Sequence, residues 1–592
     1  MTLSPPRVPG EWRQRIRSLV RRSEFLLVVV AAGIGCTVAM AVVAMTRVAH
    51  LAHYILFGVA LDEGLSAATY LPPYSFLVPA AGGLLLGAIA YWMRLRKMRA
   101  AVDPIEANAL HGGVMSTRDS LLVAGQTVLS NGVGASVGLE AGYTQIGGAF
   151  ASRAGRALRL RRQDMRVLVG CGTAAAISAA FNAPIAGGFY AFELIIGAYS
   201  IATAAPVMVA AFSAMLVTNA LGGVTLPLQF DPLPAVTTTD FPLYILLGVV
   251  AGFVGIVIMR GVSLVERWVG YTRIPQLLRP AVGGGLLGLM ALVTPQVLSA
   301  GHGALLVELN SHTPLAILAG VFLLKSLAAA VCLGCGFRGG LFFASLFLGA
   351  LLGKLFGGLI LLAWPAFGIH INTSAFVGMS ALAVAVVGGP MTMTFLTLET
   401  TSSIGVSSLA LCAAIASSMI VREFFGYSFS TWRLHLRGET IRSPYDVGWI
   451  RNLTVGRMMR PTSRTARVDM PMEAFRKAFP LGSATRAIVL DAKDRYVGIA
   501  SVAQAHAAGS DGGADAHTVA DIVGFRDQVL LPSMNVKEAM AAFDAAETDA
   551  LAVIDNLADR KVLGELTEAY ALRRYSEELD QARQGIAGDV GS

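Results

Sequence analysis

Two glycine-rich segments hold the residues whose types and spacing could do chemistry. They are G138-L-E-A-G142 and G336-F-R-G-G340, about 200 positions apart, and each interrupts a long apolar stretch. Glycine lets a backbone come close to a ligand, and the N–H groups that open a helix attract anions. We therefore predict an anion site of backbone groups where two helix N-termini converge, with Gly138, Leu139, Gly340 and Leu341 as its candidate residues.

Glu140 lies inside the first of these segments. An ionised carboxylate at this place would occupy the position of the anion and block the path. A protonated side chain could swing aside, which would tie the passage of anions to protons. The alternative is a Glu that only caps a short surface helix. Carboxylates within membrane segments are usually functional, so we predict a gating role for Glu140.

A second pair of landmarks follows the glycine-rich segments. Pro184 is followed by Glu193 and Pro390 by Glu399, a step of nine residues in both cases. The duplicated setting favours a structural role in which each carboxylate bonds to local backbone at a helix end. Glu193 is also a candidate for a proton path.

The elements that must position these residues are membrane helices. The chain is 55% hydrophobic and 14% charged, with a mean hydropathy of +0.62. The hydrophobic share lies above, and the charged share below, the averages of soluble proteins. Broken helices at corresponding places in two halves are typical of transporters, and we predict an all-α polytopic domain over 24–426 with inverted repeats at about 24–221 and 241–426. Apolar runs of spanning length lie at 25–45, 75–93, 203–221, 241–259, 279–296, 315–333 and 407–421.

Basic residues predict the orientation. The N-terminal segment 1–23 and the stretches 94–99 and 153–166 are rich in arginine, and such clusters favour the cytoplasmic side. We expect an inner-membrane protein with cytoplasmic N- and C-termini and no cleaved signal peptide. The net charge of +8 is explained by topology and contact with anionic lipid, so no nucleic-acid partner is expected.

Beyond residue 427 the composition becomes charged and repetitive. T454-V-G-R-M-M459 matches T518-V-A-D-I-V523, and each copy continues with a helical stretch and two short strands. We predict a linker at 427–452, two α/β copies at 453–508 and 517–578 joined by a flexible segment at 505–516, and a polar tail at 579–592.

These motifs together resemble the CLC chloride channels and proton/chloride antiporters that carry a C-terminal pair of CBS domains. G138-L-E-A-G142 is similar to the family's gating segment, with Glu140 in the gating position. G339-G-L-F-F-A344 is similar to its second signature except that Ala344 replaces Pro, and A180–G187 matches a third. The resemblance implies a homodimer that carries chloride or a similar small anion. It adds the backbone of Phe342 to the anion site, and either Tyr427 or Phe429 as the pore aromatic.

Two positions depart from that family's pattern. Ala101 replaces the inner pore Ser, and Leu194 stands where antiporters of the family carry an inner proton Glu. The second departure favours a passive channel. Two alternatives stay open, namely a proton-coupled antiporter with another relay and, from a different class, an intramembrane enzyme. Catalytic motifs such as H-E-x-x-H are missing from the sequence, so no enzyme activity is expected.

Cofactors are not expected either. In the predicted CBS pair Ser501 and Thr567 keep the hydroxyl of nucleotide-binding members, but Gln504 and Tyr570 replace the Asp that bonds the ribose. A bound nucleotide therefore has no support beyond the hydroxyls. The C-x-x-C of Cys332 and Cys335 is a weak metal signal without further ligands, and we expect no metal site.

Overall fold

The computed structural model divides the chain into two compact units. One covers Met1–Asp446 and the other Val447–Ser592. The structure describes residues 24–436 apart from 62, 99–100 and 224–232, and residues 453–587 apart from 462–463 and 508–517. The basic segment 1–23 and most of the predicted flexible segment 505–516 therefore lie outside the described residues.

Sixteen of the described helices of the membrane unit form two sets of eight, in the same order of long and short members. The first set is α1 (Glu24–Phe57), α2 (Val78–Leu95), α3 (Pro104–Leu110), α4 (Thr117–Gly132), α5 (Glu140–Leu158), α6 (Arg162–Phe181), α7 (Pro184–Tyr190) and α8 (Ile201–Ala220). The second set is α9 (Phe241–Tyr271), α10 (Arg279–Ala291), α11 (His302–Leu309), α12 (Leu315–Cys335), α13 (Phe342–Ala363), α14 (Ile371–Val387), α15 (Pro390–Thr401) and α16 (Ile404–Phe424).

The two sets pack in the same way, which confirms the predicted repeats. The first helix packs on the last in each set, α1 on α8 and α9 on α16, and the fifth packs on the sixth. Glycines make both contacts close. A methyl group at Gly35 or at Gly248 would come within 2.3 Å of a carbonyl oxygen of the facing helix. Small residues allow this approach of helices in membranes.

Contacts between the two sets are reciprocal. A methyl group at Gly83 of α2 would lie 2.2 Å from the Pro280 carbonyl oxygen of α10, and one at Gly284 would lie 2.1 Å from that of Pro79. Such exchange of equivalent contacts is the mark of a two-fold relation. It agrees with the inverted repeat that the sequence predicts.

Eight helices in the described residues are long and apolar enough to cross a membrane. The apolar run 279–296 is not one of them, because α10 ends at Ala291 and a short 3₁₀ turn, Pro295–Val297, follows. The predicted linker also begins too early. Residues Phe429–Leu436 form a further helix, α17, which buries Phe429 and Leu434, and the rest of the predicted linker, 437–452, lies outside the described residues.

The C-terminal unit is an α/β structure, as predicted. The larger sheet has the order β1-β2-β3-β4, and β5 pairs with β6. The elements of the C-terminal unit are α18 (Val455–Met458), β1 (Thr465–Arg467), α19 (Met472–Ala478), β2 (Arg486–Leu490), β3 (Tyr496–Ser501), α20 (Val502–Ala507), β4 (Val523–Gly524), α21 (Val536–Ala546), β5 (Ala550–Ile554), β6 (Val562–Thr567) and α22 (Glu568–Ala587). The predicted polar tail is thus helical up to Ala587.

The copy boundaries at 453–508 and 517–578 need correction, because each copy exchanges its first segment with the other. Gly456 donates to the Pro532 carbonyl in the second copy, whereas β4 pairs with β3 of the first. The apolar side chains of these segments fill the other copy's core, where Val455 packs in the cluster around Phe543. Arg486 also contacts Asp549 across the copies and lowers the pKa of its carboxyl group.

The close helix contacts make a first prediction. A methyl group at Gly147 of α5 would lie 2.2 Å from the Gly172 carbonyl oxygen of α6. We expect Gly147→Ala to lower the free energy of unfolding by about 1–3 kcal/mol, measured by thermal unfolding in detergent. The control is Gly125→Ala on α4, where a methyl group meets nothing within 4 Å. Equal stability of the two variants would contradict the packing.

Candidate functional site

The two predicted helix breaks contact each other directly. Gly138 donates to the Gly340 carbonyl at 2.9 Å, and Gly340 donates to the Gly138 carbonyl at 3.1 Å. This antiparallel bridge lies immediately before α5 and α13, which begin at Glu140 and Phe342. The sequence placed both breaks in one site, and the structure brings them within hydrogen-bonding distance.

The bridge corrects the list of anion donors. Because the N–H groups of Gly138 and Gly340 bond to each other's carbonyls, neither offers an amide to an anion. The amides that follow them, of Leu139 and Leu341 and of the first helical residues, lie at the N-termini of α5 and α13. An N-terminus presents unpaired N–H groups and a positive partial charge, so the candidate donors are the amides that follow the two glycines rather than those of the glycines themselves.

The Glu140 carboxylate fills the space between these helix ends. A methyl group at Gly138 would lie 1.8 Å from Glu140 Oε2, and one at Gly340 would lie 3.6 Å from it. The carboxylate is also close to the backbone N–H of Phe343. The residue is 4% exposed, and its Oε2 has no hydrogen-bond partner among the described residues. A carboxylate oxygen therefore lies where the N-termini would hold an anion, and the surface-cap alternative is wrong.

Two cavities meet at Glu140. One, which we call the wide cavity, has a volume of about 210 Å³ and also reaches Ala101, Asp103 and Phe342. The other, which we call the histidine cavity, has a volume of about 70 Å³ and also reaches Leu139 and Tyr143. Because the same side chain lines both, a movement of Glu140 would change the barrier between them.

Of the two candidate aromatics, Phe429 lies at the wide cavity and Tyr427 does not. Phe429 at the start of α17 lines the wide cavity, whereas Tyr427 lines a separate cavity with Glu193 and Leu194. The Tyr427 ring stacks on His435 with centroids 4.7 Å apart, and its hydroxyl lies 3.3 Å from His435 Nδ1. Tyr427 is therefore removed from the candidate anion site.

Sequence reasoning missed a hydroxyl that does reach the wide cavity. Tyr190, at the end of α7, lines it, and its side chain hydrogen-bonds with Thr144. The Tyr190 ring also lies 6.0 Å from that of Phe342. The sequence feature that could have identified Tyr190 is its position one turn beyond the matched segment A180–G187.

Two arginines, Arg338 and Arg433, line the same cavity and were also missed by sequence reasoning.

Asp103 is the N-cap residue of α3. Its Oδ1 accepts a hydrogen bond from the Ile105 N–H at 2.8 Å. The side chain nevertheless lines the wide cavity together with Asp119. The two arginines of that cavity offset these negative charges, so the approach to Glu140 carries groups of both signs.

Glu193 and Glu399 cap helices, but not their own. Glu399 accepts from the N–H groups of Ile185 and Ala186 at 2.8 and 2.9 Å, at the start of α7. Glu193 accepts from Met391 and Thr392 at 3.0 and 2.8 Å, at the start of α15. The predicted structural role fits, whereas the predicted local bonding is wrong. Each carboxylate supplies the cap for the opposite repeat, where the N-cap residue gives no side-chain bond.

The hydrogen bonds also bear on the proton path through Glu193. Both of its carboxylate oxygens accept bonds, and the Thr392 hydroxyl adds a third at 2.6 Å. Glu193 lies in a π-helical turn, Ala191–Ile196, outside both cavities that meet at Glu140. The geometry favours a cap over a proton carrier.

Three histidines converge although they are far apart in sequence. His50, His53 and His302 line the histidine cavity, whereas the sequence shows nine histidines without an evident cluster. Within the described parts of the chain, no group of His, Cys, Asp and Glu is arranged to hold a metal ion.

Comparisons with known proteins agree with this architecture. A family profile described as voltage gated chloride channel matches residues 82–422. A ClcB-like protein of Ralstonia nicotianae is 33% identical over 385 residues, which are 64% of this chain and 89% of the relative. The voltage-gated ClC-type chloride channel ClcB of Citrobacter koseri is 28% identical over 410 residues, which are 67% of this chain and 96% of the relative.

Solved structures share the fold. A slow cyanobacterial Cl⁻/H⁺ antiporter covers 74% of this chain with 99% of its own length, at 22% identity and a TM-score of 0.58. A eukaryotic CLC transporter covers 93% of this chain with 98% of its own length, at 17% identity and a TM-score of 0.57. The second match extends beyond the membrane unit into the C-terminal one.

The reciprocal caps make a second prediction. We expect Glu399→Ala and Glu193→Ala each to lower the free energy of unfolding by about 2 kcal/mol, because each leaves helix N–H groups without an acceptor. Glu423→Ala, at an exposed position of α16, is the control and should change it by less than about 0.5 kcal/mol. Thermal unfolding of the purified variants is the measurement. A loss for only one of the two caps would contradict the equivalence of the repeats.

Proposed function

The chain belongs to the voltage gated chloride channel (CLC) family, and we propose that it carries chloride or a similar small anion along a path gated by Glu140. The observation that carries the proposal is the position of Glu140 Oε2, buried without a partner between Gly138 and Gly340. An anionic oxygen in that place competes with a mobile anion for the same helix N-termini. Protonation removes the charge and with it the competition.

The path would run through the two cavities that meet at this carboxylate. Helix N-termini attract an anion by partial charges, which lets it bind and leave, whereas a full charge in the membrane is costly. On the wide-cavity side, Arg338 and Arg433 offset the negative charges of Asp103 and Asp119. Ala101 lines this cavity and has no hydroxyl group. The Tyr190 hydroxyl would take the role of the hydrogen-bond donor that Ala101 lacks.

We further propose that the protein is channel-like. Leu194 is 8% exposed and cannot carry a proton, and Glu193 next to it is engaged as a cap. An apolar side chain gives water little reason to order on this route. No other carboxylate lies next to Leu194 in the cavity that it lines with Tyr427, as far as the described residues show.

A proton-coupled antiporter is the second candidate, because one observation favours it. Tyr190 lies near both Asp103 and Glu140 and bonds to Thr144, and all four residues line the wide cavity. A proton could pass from Asp103 towards Glu140 along these hydroxyls. This route would replace the relay that Leu194 interrupts.

The remaining expectations are also proposals. We propose an inner-membrane homodimer in contact with anionic lipid, with both termini in the cytoplasm, and a C-terminal unit that acts as a CBS pair. The copies of that unit exchange their first segments. Ligand binding or dimerisation through one copy would therefore change the structure of the other copy. A nucleotide in this unit is not proposed, since Gln504 and Tyr570 stand at the ribose positions.

The gating proposal is tested by Glu140→Gln. For the native protein we expect anion flux to rise as pH falls, by at most about tenfold per pH unit for a single titrating group. The variant keeps its flux and loses this dependence, because a neutral amide does not compete with the anion. Flux from proteoliposomes at several pH values is the measurement. The control is Glu266→Gln, an exposed position on α9. A folded Glu140→Gln protein with no flux, or with the native pH dependence, would overturn the gate.

Coupling is tested by the reversal potential under opposed chloride and pH gradients. We expect a value that depends on chloride alone, because Leu194 interrupts the inner proton route. A shift with pH at fixed chloride, in the direction of proton exchange, would establish the antiporter. In that case Asp103→Asn and Tyr190→Phe should abolish the shift while anion flux persists.

A further inference from the structure

The histidine cavity joins three imidazoles to the gate. His50 and His53 come from α1, and His302 is the first residue of α11. Glu140 is the only carboxylate that lines this cavity among the described residues. Imidazole is the side chain whose charge changes between about pH 5 and 8, so the cavity places three proton-binding groups on one side of a carboxylate gate.

Hydrogen bonds fix which nitrogens accept protons. The Nδ1 of His50 lies 3.0 Å from the Leu61 carbonyl oxygen, and the Nε2 of His53 lies 2.9 Å from that of Asn131. A carbonyl only accepts hydrogen bonds, so both of these nitrogens carry hydrogen. The second nitrogen of each ring, Nε2 of His50 and Nδ1 of His53, is then the position that binds a proton. The two rings are neighbours, with centroids 6.0 Å apart.

His302 connects the cluster to the gate. Its ring stacks on that of Phe343 with centroids 3.5 Å apart, and the backbone N–H of Phe343 lies close to the Glu140 carboxylate. One further polar side chain lines the histidine cavity near these groups. The buried Thr218 hydroxyl lines the histidine cavity and, like Glu140 Oε2, has no partner among the described residues. A water molecule held by such groups would bridge imidazole and carboxylate.

We propose that these three imidazoles are a proton-loading site that delivers protons to Glu140 from the histidine-cavity side. In each transfer a proton leaves an imidazolium nitrogen and binds a Glu140 carboxylate oxygen, directly or through one water. The imidazole becomes neutral, the carboxyl group becomes neutral, and solution protons reload the ring. The inference rests on the proposed gating role of Glu140.

One lysine and several titratable groups surround the three imidazoles. Lys325 lies behind the cavity, where its Nζ donates to the carbonyls of Val297 and Ser299 at 3.1 and 2.7 Å. The other titratable or charged groups near the cluster are Glu140 and Tyr143 of α5, Cys332 of α12, Arg47 of α1 and the exposed Glu63. Carboxylates in place of the imidazoles would repel the anion.

The test uses currents of the full-length protein in excised membrane patches, where every molecule has the same orientation. The pH is stepped on one side at a time for the native protein, His53→Gln, His302→Gln and the control His312→Gln, an exposed position between α11 and α12. We expect the current to rise about tenfold more slowly in the first two variants after an acid step on the histidine-cavity side. The response to a step on the wide-cavity side keeps its native kinetics, which a merely structural defect would not produce.

The outcomes separate this inference from the gate on which it rests. Native kinetics in both His53→Gln and His302→Gln, with Glu140→Gln insensitive to pH, would overturn the loading site alone. A Glu140→Gln protein that keeps its pH response would overturn the gate and the loading site together. If His53→Gln does not fold, His302→Gln decides the question, because no hydrogen bond of its side chain contributes to the fold among those described. The double variant that combines His302→Gln with Glu140→Gln should show the same pH response as Glu140→Gln alone.

Discussion

The membrane unit depends on two backbone hydrogen bonds. The N–H of Gly138 bonds to the carbonyl of Gly340 and the reverse bond closes the pair, which joins the repeats at the point where each chain breaks. Because α5 and α13 begin two residues later, the bridge holds two helix N-termini at one place. A side chain at Gly138 would strike the Glu140 carboxylate. The same glycines thus set the distance between the helices and leave room for the group that blocks them.

Farther from this bridge, other contacts between the repeats are reciprocal in the same way. Glu399 caps α7 and Glu193 caps α15, so each repeat completes a helix of the other. Neither Ala183 nor Gly389 provides a side-chain cap of its own. Buried N–H groups that open a helix need an acceptor, and the opposite repeat supplies it. These reciprocal caps tie the two halves to each other at their junction.

The sequence predicts the repeats because two sets of motifs with the same spacing can be recognised along the chain without a structure. Glycine and proline break helices wherever they occur, so the two breaks and the nine-residue step from Pro184 to Glu193 are visible without a structure. What a residue touches across the repeats is not encoded in local spacing. Local bonding was therefore expected for Glu193, and the exchange of first segments between the C-terminal copies was not foreseen.

Choices between neighbouring residues also need three dimensions. Tyr427 and Phe429 lie two residues apart, and only the start of α17 decides which ring faces the wide cavity. The histidines of α1 and α11 are about 250 positions apart, and only the fold brings them beside Glu140. Ala101 and Leu194, by contrast, were identified from sequence because each lacks a functional group at a recognisable position.

The central claim is that the Glu140 carboxylate occupies the place of the transported anion. Anomalous scattering from crystals grown in bromide tests it most directly, with the native protein compared with Glu140→Gln. The account predicts a bromide peak in the variant where the native carboxylate oxygen lies, near the amides of Leu341 and Phe343, and a weaker peak there in the native protein. Equal peaks in both proteins, or a peak in the variant only at a distance from the Gly138–Gly340 bridge, would contradict it.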